Sequence, residues 1–272
     1  MPAAPDLRFR RRRAAARMPP EFPTEGAAMV DPCPTPLVDL ALRLADAAGE
    51  VARRYFRTPL AVDDKADASP VTIADREAEA AVRAILAAEQ PGHGIVGEEH
   101  GSVNPGAEWV WVIDPIDGTK AFITGRPSFG TLVALLHRDT PVLGVIDQPV
   151  VRDRWVGARG RPTLFNGQAA RIRACPGLAP ATVNTTSPDL FAPDEYAAFR
   201  RVAERAKLVM YGGDCYAYGL LAAGFLDLVV EAGLKLHDYA ALVPVVEGAG
   251  GVLTDWDGAP LGRRDSVRVL AA

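Results

Sequence analysis

The spacing of apolar residues predicts a long helix at the start of the folded region. After Thr35, apolar side chains recur at steps of three and four residues, which places them on one face of a helix: Leu37, Leu40, Leu44, Ala48, Val51 and Tyr55. We therefore predict a helix that ends near Phe56. Thr35 is its predicted N-cap, and Pro36 lies in its first turn.

A second helix and a group of short strands follow. The helix is predicted from Thr72, because Asp75 stands at the capping-box spacing, and it should end at Pro91. Short apolar runs then predict four strands, near residues 95–96, 109–113, 131–136 and 142–146. The Asn-Gly pair at residues 166–167 predicts a two-residue hairpin turn.

The pattern changes after about residue 180, where strands and helices alternate. The predicted strands are residues 182–185, 208–211 and 226–231, and the predicted helices follow Pro193, cover residues 216–225 and begin at Asp238. Such alternation is typical of a layered α/β unit. We therefore predict an α+β half over residues 34–178, which carries the metal motifs, and an α/β half over residues 179–272, which carries substrate specificity and Asp238.

Composition and charge exclude several classes of protein. Hydrophobic residues make up 49% of the 272-residue chain and charged residues 24%, as in folded globular proteins. No apolar run is long enough to span a membrane, so no membrane partner is expected. Because 34 acidic residues outnumber 30 basic ones, nucleic-acid binding through bulk positive charge is not expected. The three widely spaced cysteines favour reduced thiols and a cytoplasmic location.

The first residues differ from the rest of the chain. Residues 1–28 contain six arginines and three acidic residues, with no apolar core of the kind found in a secretion signal. We interpret residues 1–33 as a disordered basic tail, or as upstream sequence included by an early start codon. Contact with an anionic partner is the alternative.

The most informative segment is the end of the strand that begins at Trp109. Asp114 and Asp117 follow its buried residues, and Pro115 turns the chain so that the two carboxylates can converge. Gly118 and Thr119 add backbone N–H groups and a hydroxyl, which suit an anion. Two carboxylates beside an anion repel one another unless a divalent cation such as Mg²⁺ or Mn²⁺ lies between them. An Asx-turn at Asp114 that caps a helix is the structural alternative.

Two more acidic residues could join this pair. Glu98 follows the strand at residues 95–96, and the carboxyl ends of strands are where open sheets bind ligands. Asp238 stands at the start of a predicted helix. A solvated loop position would also explain Glu98, and an N-cap role would also explain Asp238.

Together these motifs resemble the inositol monophosphatase-like family of metal-dependent phosphatases, from about residue 35 to the C-terminus. The matching segments are Gly97-Glu98-Glu99, Asp114-Pro115-Ile116-Asp117-Gly118-Thr119, Asp238 with residues 244–251, and residues 67–75. The resemblance implies an αβαβα sandwich of the inositol monophosphatase and fructose-bisphosphatase type. It also implies Mg²⁺-dependent phosphomonoester hydrolysis with two to three ions per site, with Mn²⁺ as an alternative, and a homodimer.

The resemblance also assigns roles to individual residues. One ion would be held by Glu98, Asp114 and the carbonyl of Ile116, a second by Asp114, Asp117 and Asp238, and a weaker third by Glu98 with Asp75 through water. Glu98, Asp75 and Thr119 would be catalytic, because Thr119 and Asp75 resemble the pair that orients the attacking water. The N–H groups of Gly118 and Thr119 would receive the phosphate.

Within the family, residues 211–239 most resemble the histidinol-phosphate phosphatase branch. Asp214 and Glu231 would bind the cationic part of that substrate, although an N-cap role would also explain Asp214. Relatives usually carry a bulky aromatic residue where this chain has His237, which could pack beside the site or contact the substrate. Inositol monophosphatase is the alternative enzyme, and an RNA-binding or protein-binding member of the same fold, without catalysis or in addition to it, is the alternative of another class.

Overall fold

A computed structural model describes residues 33–64, 70–264 and 267–272. The predicted tail therefore lies outside the described residues except for Cys33, as do residues 67–69 of the upstream motif. All the described residues belong to one compact unit. Cys33 is buried, and its backbone N–H donates a hydrogen bond to the carbonyl of Arg159.

The described residues form seven α-helices. In chain order they are α1 (Thr35–Tyr55), α2 (Ile73–Glu89), α3 (Thr119–Ile123), α4 (Pro193–Ala203), α5 (Asp214–Ala222), α6 (Leu236–Tyr239) and α7 (Leu242–Gly248), with a 3₁₀ turn at Pro188–Leu190. None of these helices is long and apolar enough to cross a membrane.

The strands form two main sheets and a small ribbon. They are β1 (Val62–Asp64), β2 (Pro70–Thr72), β3 (Gly94–Gly97), β4 (Gly101–Val103), β5 (Trp109–Asp117), β6 (Gly130–His137), β7 (Thr140–Gln148), β8 (Asp153–Ala158), β9 (Leu164–Phe165), β10 (Gln168–Ala169), β11 (Thr182–Thr185), β12 (Leu208–Tyr211), β13 (Leu228–Leu234), β14 (Leu253–Thr254) and β15 (Val267–Ala271). Strands β1 and β2 form the ribbon. The first sheet has the order β10-β9-β8-β7-β6-β5-β3-β4 and the second β12-β11-β13-β15-β14.

The helices and the two sheets stack in five layers. Buried side chains of α1 and α2, such as Leu44 and Val82, pack on one face of the first sheet. Helices α5 and α7 lie between the two sheets, where Tyr218 and Val245 join one core. Helix α4 covers the outer face of the second sheet through Phe199. This order of layers confirms the predicted αβαβα sandwich.

Most predicted elements are present, with changes at their ends. Strands β11 and β12 have the predicted bounds, and the hairpin at residues 166–167 joins β9 to β10. Thr72 and Asp75 form the predicted capping box. The N-cap of α1 is Pro34 rather than Thr35, whose hydroxyl instead accepts a hydrogen bond from Arg161.

The largest difference concerns the helix predicted from Asp238. The chain forms two short helices there, α6 and α7, and Asp238 is the third residue of α6, whose N-cap is Lys235. Pro244 explains the break, because it has no N–H to donate to the preceding turn and is tolerated only in the first turn of a new helix. Asp238 is therefore not an N-cap residue, although its Oδ2 accepts the backbone N–H of Lys235 at 2.6 Å.

The packing of α7 on the first sheet depends on a glycine in β7. A Cβ atom on Gly144 would lie 1.9 Å from the carbonyl oxygen of Ala241, a backbone atom that cannot move alone. We expect Gly144→Ala to lower the free energy of unfolding by about 3 kcal/mol, measured by chemical denaturation. Gly106→Ala is the matched control, because a Cβ there meets nothing within 4 Å. Equal stability of both variants would contradict this close approach.

Candidate metal centre and substrate cleft

A bulge at the end of β5 brings Asp114 and Asp117 together. Asp114 pairs with Leu132 of β6 and Asp117 pairs with Gly130, so β5 has one more residue than β6 between these pairs. In a regular strand, residues three apart point to opposite faces, and the extra residue of a bulge redirects the second side chain. The predicted convergence thus comes from a bulge rather than from the end of the strand.

The turn within this bulge contains the Asx-turn considered as the alternative, but Asp114 does not cap a helix, because the N-cap of α3 is Gly118. The N–H of Ile116 donates to Asp114 Oδ1 at 3.1 Å, and the hydroxyl of Thr131 donates to the carbonyl of Pro115 at 2.8 Å. These bonds fix the backbone between the two acids. The Asx-turn and a metal site are therefore compatible, since the turn leaves Asp114 Oδ2 for another partner.

Two further acids reach the same place from other elements. Glu98 follows β3, and Asp238 is carried by α6. The ligand atoms of Asp114, Asp117 and Asp238 lie within 4.8 Å of one another, and so do those of Glu98, Asp114 and His237. Asp114 belongs to both groups, as expected for a residue shared by two ions.

The electrostatics of this cluster suit a cation. Asp114 is 2% exposed, and burial, followed by the charges of Glu98 and Asp117, raises its pKa well above the usual range. Burial and the charge of Asp214 also raise the pKa of Asp117 well above the usual range. Burial raises the pKa of Asp238. Carboxylates held this close together without compensation repel each other, and hard oxygen ligands favour Mg²⁺ or Mn²⁺.

Asp75 and Thr119 lie beside the cluster. The hydroxyl of Thr119 is 3.4 Å from Asp75 Oδ1 and 3.2 Å from the carbonyl of Ile116. The other oxygen of Asp75 accepts the N–H and hydroxyl of Thr72 at 2.8 Å and 2.6 Å. Asp75 is fully buried, and burial raises its pKa. The structure therefore brings the two side chains together beside the cluster.

Gly118 occupies a conformation and a position that few other residues could adopt. Its φ of +87° is left-handed, and it is the N-cap of α3, next to Thr119. A Cβ on Gly118 would lie 2.8 Å from Asp214 Oδ2. The predicted phosphate-binding segment thus lies directly against Asp214.

A cleft of about 280 Å³ is lined by the acids of the cluster, by Gly118 and Thr119, and by Asp214 and Glu231. Asp75 is not among its lining residues. Its walls also include side chains that the sequence did not single out: Lys120, Thr186, Ser187, Leu190 and Tyr218. The volume suits a small metabolite. Lys120 directly follows the motif of residues 114–119, so its place in the site could have been predicted from the sequence. Thr186 and Tyr218 come from separate parts of the chain and share no motif.

Glu231 is held in place by two hydrogen bonds. Its Oε1 accepts the N–H of Thr186, and its Oε2 accepts the hydroxyl of Tyr218, both at 2.9 Å. Burial raises the pKa of Glu231 to about 7 despite these bonds. The carboxyl is therefore fixed in the wall of the cleft, and with a pKa of about 7 it is only partly ionised at physiological pH.

Asp214 lies at the first position of α5, and the N-cap is Gly213. The N-cap role considered for Asp214 is therefore wrong, because Gly213 occupies that position with a φ of +118°. Burial, partly offset by the charge of Lys120, raises the pKa of Asp214 to about 6. The N–H of Cys215 donates to Asp117 Oδ2 at 2.6 Å, and this bond connects the start of α5 to the carboxylate cluster.

The raised pKa of Glu231 predicts a pH dependence of stability in the metal-free protein. Its folded pKa of about 7 exceeds that of an exposed glutamate, so the folded protein binds a proton more tightly. The stabilisation is complete below the unfolded pKa and is lost as pH rises through about 7. We expect Glu231→Gln to match the wild type in thermal stability near pH 4 and exceed it near about pH 8. A constant difference across this range would contradict the assignment.

Comparison with known proteins places this site in a family. The model of the inositol monophosphatase family matches residues 34–272. The chain is 55% identical over 217 residues to the bifunctional phosphatase IMPL2, chloroplastic, of Arabidopsis thaliana, a match that covers 79% of this chain and 63% of that protein. The chain thus spans less than two thirds of that relative's length.

Two further matches cover more of the relatives. A histidinol-phosphatase of Mycobacterium tuberculosis is 38% identical over 226 residues, which is 80% of this chain and 87% of that protein. The solved structure of an inositol monophosphatase from Zymomonas mobilis superposes with a TM-score of 0.81 at 52% identity, covering 87% of this chain and 92% of that one. These matches confirm the predicted resemblance. The chain belongs to the inositol monophosphatase family.

Proposed function

We propose that this protein hydrolyses L-histidinol phosphate to L-histidinol and phosphate, with Mg²⁺, in histidine biosynthesis. Asp214 and Glu231 line the same cleft as the carboxylate cluster, and this position is the main support for the proposal. Histidinol phosphate has an ammonium group and an imidazole, and two carboxyl groups suit such a cationic head. The likeness to the histidinol-phosphatase of Mycobacterium tuberculosis supports this choice.

The carboxylates would hold the metal ions as the sequence suggests. Glu98, Asp114 and the carbonyl of Ile116 would bind one ion, and Asp114, Asp117 and Asp238 another. A third, weaker ion would use Glu98, with Asp75 through water. Bound Mg²⁺ supplies positive charge that neutralises phosphate oxygens and favours ionisation of water.

The remaining residues would position the reactants. The hydroxyl of Thr119 would orient the attacking water, and Asp75 Oδ1, 3.4 Å from that hydroxyl, would accept a proton. The N–H groups of Gly118 and Thr119 would receive phosphate oxygens, which gain negative charge as the water oxygen attacks phosphorus. The bond from phosphorus to the alkoxide oxygen would then break, and the alkoxide would take up a proton from water to become the alcohol.

Inositol-1-phosphate hydrolysis is the second candidate, because the Zymomonas structure at 52% identity is of an inositol monophosphatase. In that case Asp214 and Glu231 would accept hydrogen bonds from ring hydroxyls. The two candidates are distinguished by kcat/KM for histidinol phosphate and inositol-1-phosphate at saturating Mg²⁺. We expect histidinol phosphate to be preferred by about tenfold or more, as a charge-assisted contact would give. Equal values, or a preference for the inositol ester, would overturn the choice.

We propose that residues 34–178 supply most metal ligands and residues 179–272 supply Asp238 and specificity. The three cysteines are free, which supports a cytoplasmic location. A homodimer that binds small phosphomonoesters, without nucleic acid, fits the family resemblance.

A further inference from the structure

The imidazole of His237 lies at the edge of the carboxylate cluster. Its Nε2 is 3.5 Å from Asp238 Oδ1 and 4.0 Å from Glu98 Oε1. The side chain is 13% exposed, so water reaches little of the ring. A ligand nitrogen of His237 also lies within 4.8 Å of the ligand oxygens of both Glu98 and Asp114.

The distance between His237 and Glu98 suits a shared ion better than a direct hydrogen bond. The separation of 4.0 Å from Glu98 is too long for a hydrogen bond, and 3.5 Å from Asp238 is at the outer limit. Two ligand atoms that each lie about 2.1 Å from one ion are about 3.0 Å apart at a right angle and about 4.2 Å apart when opposite. The 4.0 Å between His237 Nε2 and Glu98 Oε1 lies within this interval.

His237 and Asp238 are consecutive residues of α6, and both side chains reach the carboxylate cluster. The irregular pairing of β13 between Glu231 and Leu234 leads the chain directly into α6. The carboxyl of Asp238 is fixed by the N–H of Lys235 at 2.6 Å. His237 is grouped with Glu98 and Asp114, whereas Asp238 is grouped with Asp114 and Asp117.

An imidazole changes which metal such a position prefers. Carboxylates and carbonyls suit Mg²⁺ and Mn²⁺, whereas an imidazole nitrogen adds affinity for first-row transition metals and little for Mg²⁺. We propose that His237 is a nitrogen ligand of the ion held by Glu98 and Asp114, and that this position therefore prefers Mn²⁺ to Mg²⁺. The group of Asp114, Asp117 and Asp238, with oxygen ligands alone, keeps its preference for Mg²⁺. This inference rests on the metal centre of the proposed function.

The test is pulsed EPR of Mn²⁺ bound to the untagged, metal-free full chain, with competition between Mn²⁺ and Mg²⁺ measured by calorimetry. We expect the wild type to show the ¹⁴N modulation of a directly bound imidazole, and ¹⁵N-histidine labelling to change it. His237→Phe keeps a ring of similar size without the donor atom. It should lose the modulation and bind Mn²⁺ about tenfold or more weakly, with a change in Mg²⁺ affinity below about threefold.

His100→Gln is the matched control, because His100 is exposed and its Nε2 contacts the carbonyl of Arg76 rather than the cluster. It should retain the modulation. A wild type without nitrogen modulation would overturn the inference even if His237→Phe failed to fold, and so would an equal loss of Mn²⁺ and Mg²⁺ affinity in that variant. Either result, with Mg²⁺-dependent hydrolysis intact, would leave the proposed function standing. Failure to bind any divalent ion would overturn both.

Discussion

Asp114→Asn is expected to reduce kcat/KM by about a thousandfold or more, while the protein remains folded. Asp114 belongs to both groups of potential metal ligands, so its loss removes a negative charge from two positions at once. Transition-state charge stabilisation of this kind is worth several kcal/mol, which corresponds to this loss of rate. The measurement is steady-state phosphate release across a range of Mg²⁺ concentrations.

The same variant should be at least as stable as the wild type when no metal is bound. Burial and neighbouring carboxylates raise the pKa of Asp114 well above the usual range, so its ionised form destabilises the metal-free fold near neutral pH. Stabilisation by Mg²⁺ should be much weaker than in the wild type. Asp39→Asn, an exposed acid on α1, is the control and should change neither property. Wild-type turnover of Asp114→Asn at saturating Mg²⁺ would contradict the shared-ligand role.

Asp214→Asn should lower kcat/KM for histidinol phosphate about ten- to a hundredfold and change inositol-1-phosphate hydrolysis far less. A charge-assisted contact from an ammonium group to this half-buried carboxylate contributes about 1.5–3 kcal/mol, and the amide cannot replace its charge. Asparagine has nearly the same shape, so the contact with Gly118 should be preserved.

Asp189→Asn serves as a matched control for this comparison. Asp189 lies in the 3₁₀ turn, is exposed and contacts Ser187, and it is not among the residues that line the cleft. It should leave the ratio of the two kcat/KM values unchanged. If Asp214→Asn affects both substrates equally, Asp214 does not bind the ammonium group. This contact would then no longer support histidinol phosphate over inositol-1-phosphate as the substrate.

The layers of the fold could be predicted where a strong repeat of apolar residues decides the element. Helix α1 has such a repeat because it buries one face in the core, and strand β5 is a continuous apolar run because both of its faces are buried. The short strand β4 was missed, since all three of its residues are exposed and it pairs only with β3. Its formation depends on an available neighbour, which the local sequence does not show.

The site was predicted in part by chemistry and in part by resemblance. The pair formed by Asp114 and Asp117 follows from their spacing around Pro115, although the bulge that aligns them depends on the register with β6. The addition of Glu98 and Asp238 needed the resemblance, because separate elements bring them together. The contacts of His237 and Tyr218 could not be predicted from the sequence. Only the folded chain places His237 beside Glu98 and the hydroxyl of Tyr218 on Glu231.

We propose that the carboxylate cluster of Glu98, Asp114, Asp117 and Asp238 is the metal centre of a phosphomonoesterase. The most direct test is phosphate release from histidinol phosphate by protein stripped of divalent ions, followed as Mg²⁺ is returned. We expect no turnover in the stripped protein and saturable recovery with Mg²⁺, and we expect Asp114→Asn to show no such recovery. Turnover that persists after complete removal of divalent ions, or that stays absent for every phosphomonoester at saturating Mg²⁺, would contradict it.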